Sequence, residues 1–226
     1  MTNLLEFIIF ETQLSASDYL CTFTIPNYLG LNHMDLECEA NHKLVSINSD
    51  NNPGIARAGF MFRSQHALKD IRDEDEQKQF LRDTFRDFGW EVQNILNLMS
   101  ESDDFYFDAI TQVKMDSWTK GRIALVGDAS YCPSPLSGQG NNLAFVGAYI
   151  LAGELKAANG NYMQAFTRYN SLLRPFVEAN QKFGAWVSES FLVEDEVSKE
   201  FAEERSNRIL AMIKSISNVI SLPRYE

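Results

Sequence analysis

Residues 121–155 read GRIALVGDASYCPSPLSGQGNNLAFVGAYILAGEL, and their order of residue types sets the fold. Ile123-Ala-Leu-Val126 is a continuous apolar run closed by Gly127-Asp128. Such a run predicts a parallel strand buried on both faces. A loop carrying Pro133, Pro135, Gly138 and Gly140 follows, then a helix with Leu143, Gly147, Ile150, Leu151 and Leu155 on one side. Ligands of open α/β sheets bind outside the carboxyl ends of strands, where Asp128 stands. A carboxylate there can accept from a ribose hydroxyl or, through water, hold a pyrophosphate. Gly138 and Gly140 let the backbone approach a ligand closely, and the helix start offers free N–H groups to an electron-rich partner.

Upstream the periodicity changes from runs to alternation. Residues 20–25 (LCTFTI) put Cys21, Phe23 and Ile25 on one face and end at Pro26-Asn27. Residues 35–47 hold two short alternating pieces around Ala40-Asn41-His42. In residues 56–63 Ala56, Ala58, Phe60 and Phe62 face one way, and Arg57, Met61 and Arg63 the other. Together these predict an antiparallel sheet with one packed face. Two helices are expected over 73–87 and 91–99, the acidic run Asp73–Glu76 being a solvated helix start, and strand character returns over 105–115. Downstream, Tyr162, Phe166, Tyr169, Leu173 and Phe176 mark a helix expected to bend or end near Pro175. The tail from about residue 195 is amphipathic, with acids Glu194–Glu196 before bases Arg205, Arg208 and Lys214, an order that suits the helix dipole.

Composition narrows the function classes. Of the 226 residues 45% are apolar, enough for a sizeable core, and the formal charge of −11 argues against nucleic acid as a partner. Cys21, Cys38 and Cys132 are far apart and in no CxxC pair, which reads as three reduced thiols in a cytoplasmic protein. The apolar start is short and interrupted by Glu6, so neither a signal peptide nor an integral membrane segment is expected. His33, His42 and His66 lack metal-ligand spacing, and no metal is expected.

Gly127-Asp128, then Pro133, then Gly138-x-Gly140-x-Asn142 resembles the second FAD motif of the group A flavoprotein monooxygenases, the para-hydroxybenzoate hydroxylase-like family. Phe23–Gly30, Arg57–Arg63 and Asp104–Met115 also resemble its substrate-domain strands, so the likeness covers roughly residues 18–183. The resemblance implies FAD as cofactor, with Asp128 at its ribityl–pyrophosphate region, Gly127 and Ala129 among the cofactor-binding residues, and Pro133 and Pro135 beside the isoalloxazine. The N–H groups of Gly138, Gln139, Gly140, Asn141 and Asn142 would face the flavin N1–C2=O edge. It further implies NADPH or NADH as co-substrate and hydroxylation of an aromatic or polyketide-like small molecule. Thr24, Asn27 and Arg57 are the candidate substrate-binding residues. Five positions after Asn142 the family carries an acidic residue; here Gly147 stands there and reads as close helix packing.

The fold class expected is α/β: an α+β substrate sheet, part of a Rossmann-like FAD-binding sheet, and C-terminal helices, a truncated version of that family's fold. Residues 1–17 are an unmatched segment, 18–115 the substrate sheet with helices, 116–183 the C-terminal part of the FAD-binding domain, and 184–226 a helical tail. Neither a GxGxxG unit nor an Asp-Gly pair occurs in the chain. The expectation is one half of an enzyme, with a second chain supplying the N-terminal FAD-binding half. Leaving Ile123, Leu125 and Val126 uncovered would forfeit about 1.5–3 kcal/mol each, which predicts marginal stability for the chain alone. The other readings are a non-catalytic remnant acting in protein association, and another flavin oxidoreductase of the same fold.

Overall fold

A computed structural model of the chain describes residues 18–49, 52–64, 72–191 and 198–225. The segment 1–17, His66 and the acids Glu194–Glu196 lie outside these residues. Residues 18–110, with 191 and 198, belong to one compact unit, and residues 111–190 and 199–225 to another.

The first unit is a five-stranded antiparallel sheet. Strands β1 (Asp18–Pro26), β2 (Asp35–Ala40), β3 (Lys43–Asn48), β4 (Ile55–Arg63) and β5 (Tyr106–Ala109) lie in the order β2-β3-β4-β1-β5. The alternating face is buried as expected: Cys21, Phe23, Ile25, Ala56, Ala58, Phe60 and Phe62 all enter the core. Helices α1 (Glu74–Thr84) and α2 (Val92–Leu98) supply Leu81, Val92, Ile95 and Leu96 to that core. Rings interlock there, Phe60 edge-on to Phe85 with centroids 4.9 Å apart. Register is pinned at one end by Arg63, whose Nε and Nη2 donate to the buried Asp18 carboxylate at 2.7 and 3.0 Å.

Local capping explains where the helices begin and end. Asp73 caps α1, its Oδ1 accepting from Glu76 N at 3.0 Å, so the acidic run is the first helical turn. At the other end Lys43 Nζ donates to Thr84 O at 2.6 Å, and burial holds its ammonium below the usual lysine range. Burial also pushes the Cys21 thiol far up. Strand structure in 105–115 is β5, which Ile110 N prolongs by donating to Asp18 O at 2.8 Å, and a single further bridge residue at Lys114.

The second unit holds a hairpin, β6 (Thr119–Lys120) with β7 (Ile123–Ala124), and helices α3 (Asp128–Tyr131), α4 (Gly140–Ala157), α5 (Tyr162–Phe191) and α6 (Lys199–Ser217). Ile123–Val126 departs from expectation. Only two of its residues are strand, they pair antiparallel with β6, and all four are half-buried. Among the described residues no parallel strand lies beside it, so an apolar run suited to two covered faces is left half covered.

Pro175 departs too: α5 runs unbroken from Tyr162 to Phe191. The proline removes one backbone donor, but Leu173, Phe176 and Val177 are buried around it and hold the helix in place. Gly147 is a packing glycine, since a Cβ there would lie 1.9 Å from Tyr131 Oη and 3.2 Å from Leu173 Cδ2. The buried Glu154 on α4 is paired with Arg168 and accepts from Tyr225 Oη at 2.8 Å. Among the described residues no helix is long and apolar enough to cross a membrane.

Candidate functional site

The Asp128 loop is built from backbone turns that few side chains permit. Gly127 precedes α3 with φ 71°, and a Cβ on it would stand 3.4 Å from Ala144 Cβ on α4. Asp128 opens α3 with its carboxylate exposed to solvent, and Ala129 beside it is exposed as well. Pro133 is buried, its carbonyl accepting from Gln112 Nε2 at 3.0 Å, and Pro135 is exposed. Between them Ser134 adopts φ 80°, a conformation costing a non-glycine residue about 1–3 kcal/mol. It is held there because Ser134 Oγ accepts from Leu136 N at 3.1 Å and Ser134 O accepts from Ser137 Oγ at 2.9 Å.

The N–H groups of this loop are not equally available. Gly138 N donates to Pro135 O at 3.0 Å, and Gln139 N to Ser137 Oγ at 3.1 Å. Of the five N–H groups expected to face the flavin N1–C2=O edge, these two are therefore engaged in closing the turn. Gly140, Asn141 and Asn142 occupy the first turn of α4, where N–H groups have no intrahelical acceptor. No side chain caps that helix end, because Gln139 Oε1 accepts instead from Asn142 Nδ2 at 2.7 Å. A Cβ built on Gly140 would stand 3.8 Å from Asp128 Oδ1, so the carboxylate lies directly against this uncapped turn.

The expected substrate residues lie in the sheet unit and divide into two kinds. Asn27 folds its own loop: Nδ2 donates to Leu31 O and Pro53 O, and Oδ1 accepts from Leu31 N at 2.9 Å. Thr24 and Arg57 are cross-strand partners in the β1–β4 register on the face away from the aromatic core. They meet at Asp104, a residue that nothing in the sequence singles out. Asp104 Oδ1 accepts from Thr24 N at 2.7 Å, and Oδ2 from Thr24 Oγ1 at 2.7 Å and Arg57 Nη1 at 3.2 Å. The Thr24 backbone donor, followed by the Thr24 and Ser102 hydroxyls and Arg57, holds this carboxyl down at about 2. Thr24, Pro26, Gly54, Leu98, Ser102 and Asp104 line an open cleft of about 370 Å³, which Asn27 and Arg57 do not reach. In the second unit a cleft of about 470 Å³ beside the hairpin, lined by Thr119, Phe166, Asn170 and Arg174 among others, involves none of the expected site residues.

A small-residue turn, a solvent-facing acid and an uncapped helix start together suit a nucleotide-like ligand, and the comparisons with known proteins agree. Residues 48–183 match the family model described as FAD binding domain. The chain belongs to the FAD binding domain family. A flavin-dependent monooxygenase of Legionella longbeachae serogroup 1 (strain NSW150) is 87% identical over 208 residues, covering 92% of this chain and 54% of that protein. The solved tetracycline destructase Tet(55) superposes with a TM-score of 0.89 at 57% identity, and Tet(51) with 0.84 at 64%. Each covers 96% of this chain, and 57% of the solved chain is matched. The chain thus spans about half the length of the curated relatives it matches, and the fold is that of FAD-dependent monooxygenases. The residues present fit FAD: α4 offers donors without a cap, and no Cβ at Gly140 separates them from Asp128.

Proposed function

We propose that the chain is the C-terminal portion of an NAD(P)H-dependent flavin monooxygenase that hydroxylates a polyketide-like small molecule of the tetracycline type. The observation that carries this reading is the uncapped start of α4 against Asp128, inside the stretch matched as an FAD binding domain. FAD, when bound, would supply the redox chemistry that couples NADPH or NADH oxidation to reduction of dioxygen, one oxygen atom going to the substrate and the other leaving as water. Gly127, Asp128 and Ala129 would meet its ribityl–pyrophosphate region, the Asp128 carboxylate accepting from a hydroxyl or holding a bridging water. The N–H groups of Gly140, Asn141 and Asn142 would face the electron-rich edge of the ring, where a helix N-terminus favours negative charge by about 0.3–1 kcal/mol. Pro133 and Pro135 would border the ring system, while Gly138 and Gln139 shape the turn.

Arg57 would present hydrogen-bond donors to the substrate, and Asn27 would act through the loop it closes. Thr24, whose own donors both go to Asp104, would offer its hydroxyl oxygen as an acceptor. The substrate class is supported by the two solved relatives named as tetracycline destructases, at 57% and 64% identity. A second chain supplying the remaining half of the relatives' length would complete the enzyme. Three cysteines without a disulfide suit the reducing conditions of the cytoplasm.

Titrating FAD into the purified chain, followed by absorbance and fluorescence, tests the cofactor site. Micromolar or tighter binding with a perturbed flavin spectrum is expected, lost in Asp128→Ala and Gly140→Val. Absence of binding, or binding indifferent to both substitutions, overturns the assignment of these residues. For the substrate class, the portion of the Legionella longbeachae relative not matched by this chain is added, and NADPH oxidation is measured with and without tetracycline. Stimulation by tetracycline is expected; equal rates would rule out that substrate class.

A further inference from the structure

The Arg57 guanidinium is held from two sides. Its Nε donates to Thr22 Oγ1 at 2.8 Å and its Nη1 to Asp104 Oδ2 at 3.2 Å, across β1 and β5's leading loop. Thr22 and Thr24 are two apart on β1 and so share a face, and Thr24 is Arg57's partner in register. Asp104 is itself immobilised: its two oxygens accept from Thr24 N, Thr24 Oγ1 and Ser102 Oγ, at 2.7, 2.7 and 2.8 Å, before Arg57 is counted. With every oxygen engaged and the acid held ionised, Asp104 is unsuited to move a proton. What it can do is aim a cation. Of the five guanidinium N–H groups two are committed to Thr22 and Asp104, which leaves one on Nη1 and both on Nη2. The side chain is 51% exposed, so those donors are open to a ligand.

We infer that Asp104 is a positioning residue that locks Arg57 so that its remaining donors receive an anionic oxygen of the substrate, such as the enolate of a β-dicarbonyl. A planar fork fixed at two points loses little further freedom when it binds a paired-oxygen anion, which is the case where arginine outperforms lysine. Fixing it in advance removes part of the ordering cost of binding. The inference rests on the substrate reading above and extends it to a residue that touches Arg57 rather than the substrate.

The probe is tetracycline, a polyketide with enolised dicarbonyl oxygens, and the measurement is its equilibrium binding to the full chain. Arg57→Gln is expected to weaken binding about ten- to hundredfold, the range for a lost charge-assisted hydrogen bond. Asp104→Asn keeps the shape and can still accept from Thr24 N through Oδ1. Its amide, however, faces Arg57 with a donor, so binding is expected to weaken about tenfold with the thermal midpoint little changed. The two changes should be non-additive, Asp104→Asn adding nothing once Arg57→Gln is present, whereas a merely structural role would add in full. Loss in Arg57→Gln but not in Asp104→Asn would overturn the positioning role and leave the substrate reading standing. No binding to the unmodified chain would instead remove the substrate reading and this inference with it. The clamp is also read without any ligand, from the Arg57 Nε–H resonance: slow exchange in the unmodified chain and fast exchange in Asp104→Asn are expected, and equal rates would refute the lock.

Discussion

The two units achieve close packing with a different balance of means. In the sheet unit the core is side-chain volume: Phe23, Phe60, Phe62 and Phe85 are fully buried, Phe23 stacked on Phe60 and Phe85 edge-on to Phe60 and Phe62. In the unit of the Asp128 loop the tight points are places where a side chain is missing. A Cβ on Gly147 would meet Tyr131 Oη at 1.9 Å, on Gly153 the Tyr225 ring at 2.1 Å, and on Gly184 the Pro133 carbonyl at 2.5 Å. Addition is thus a risk at several points of the loop unit and, among the described glycines of the sheet unit, chiefly at Gly59 against Ser46 Oγ. Subtraction threatens the sheet's rings and also Trp118, Tyr131 and Tyr169 of the loop unit. The difference follows from what each must support: a sheet needs filling between layers, whereas the helices around the loop receive the Tyr131 and Tyr225 side chains and the Pro133 carbonyl directly on bare backbone.

The largest expected effect tests the subtraction side. Phe60→Ala removes a ring packed between Phe23 and Phe85 and should cost about 3–5 kcal/mol, seen in denaturant unfolding and as faster amide exchange in β3 and β4. A cost below about 1 kcal/mol would mean that the aromatic core collapses freely and the contrast between the units is false. Next comes addition. Gly184→Ala drives a methyl against the Pro133 backbone and Gln112 Nε2, and should cost about 1–3 kcal/mol. Gly89→Ala, where nothing lies within 4 Å, is the control and should be close to neutral. Equal effects from the two would break the comparison.

The smallest effect sharpens it on the exposed face of the sheet. Asp104 has its carboxyl held at about 2, below the unfolded value of about 3.9. A depressed acid contributes stability that is present above the unfolded value and is lost as pH falls from there through about 2. Because the side chain is 44% exposed, solvent screening keeps the contribution small. A carbon-detected titration of the Asp104 carboxyl should show no inflection above pH about 3 in the unmodified chain, and an upward shift in Arg57→Gln.

Much of the sheet was legible in the sequence because alternation is a local signal. Cys21, Phe23 and Ile25, and Ala56 to Phe62 in steps of two, reached the core they were assigned to. Gly147 was equally legible, since a residue without a side chain on an apolar helix face signals a neighbour packed close against it. The departures share a cause: each turns on a partner distant in sequence. An apolar run such as Ile123–Val126 does not say which strand will lie beside it, and its pairing with β6 came from a turn at Gly121. Pro175 was outvoted by the buried neighbours Leu173, Phe176 and Val177. Asp104 lies 80 residues from Thr24, and nothing in Ser-Asp-Asp-Phe sets it apart from Asp103 beside it. Within the loop, sequence marked the right stretch, but which N–H groups were already taken by Pro135 and Ser137 was a matter of turn geometry.

Cys21 sits at the centre of β1, fully enclosed, with its thiol pushed far up by burial, while Cys38 and Cys132 are only half-buried. The chain therefore carries its own clock. An alkylating reagent should label two sulfurs early and the third only when β1 parts from β4. The lag between second and third adduct by mass then times the breathing of the sheet, in the native protein, without any dye or engineered label.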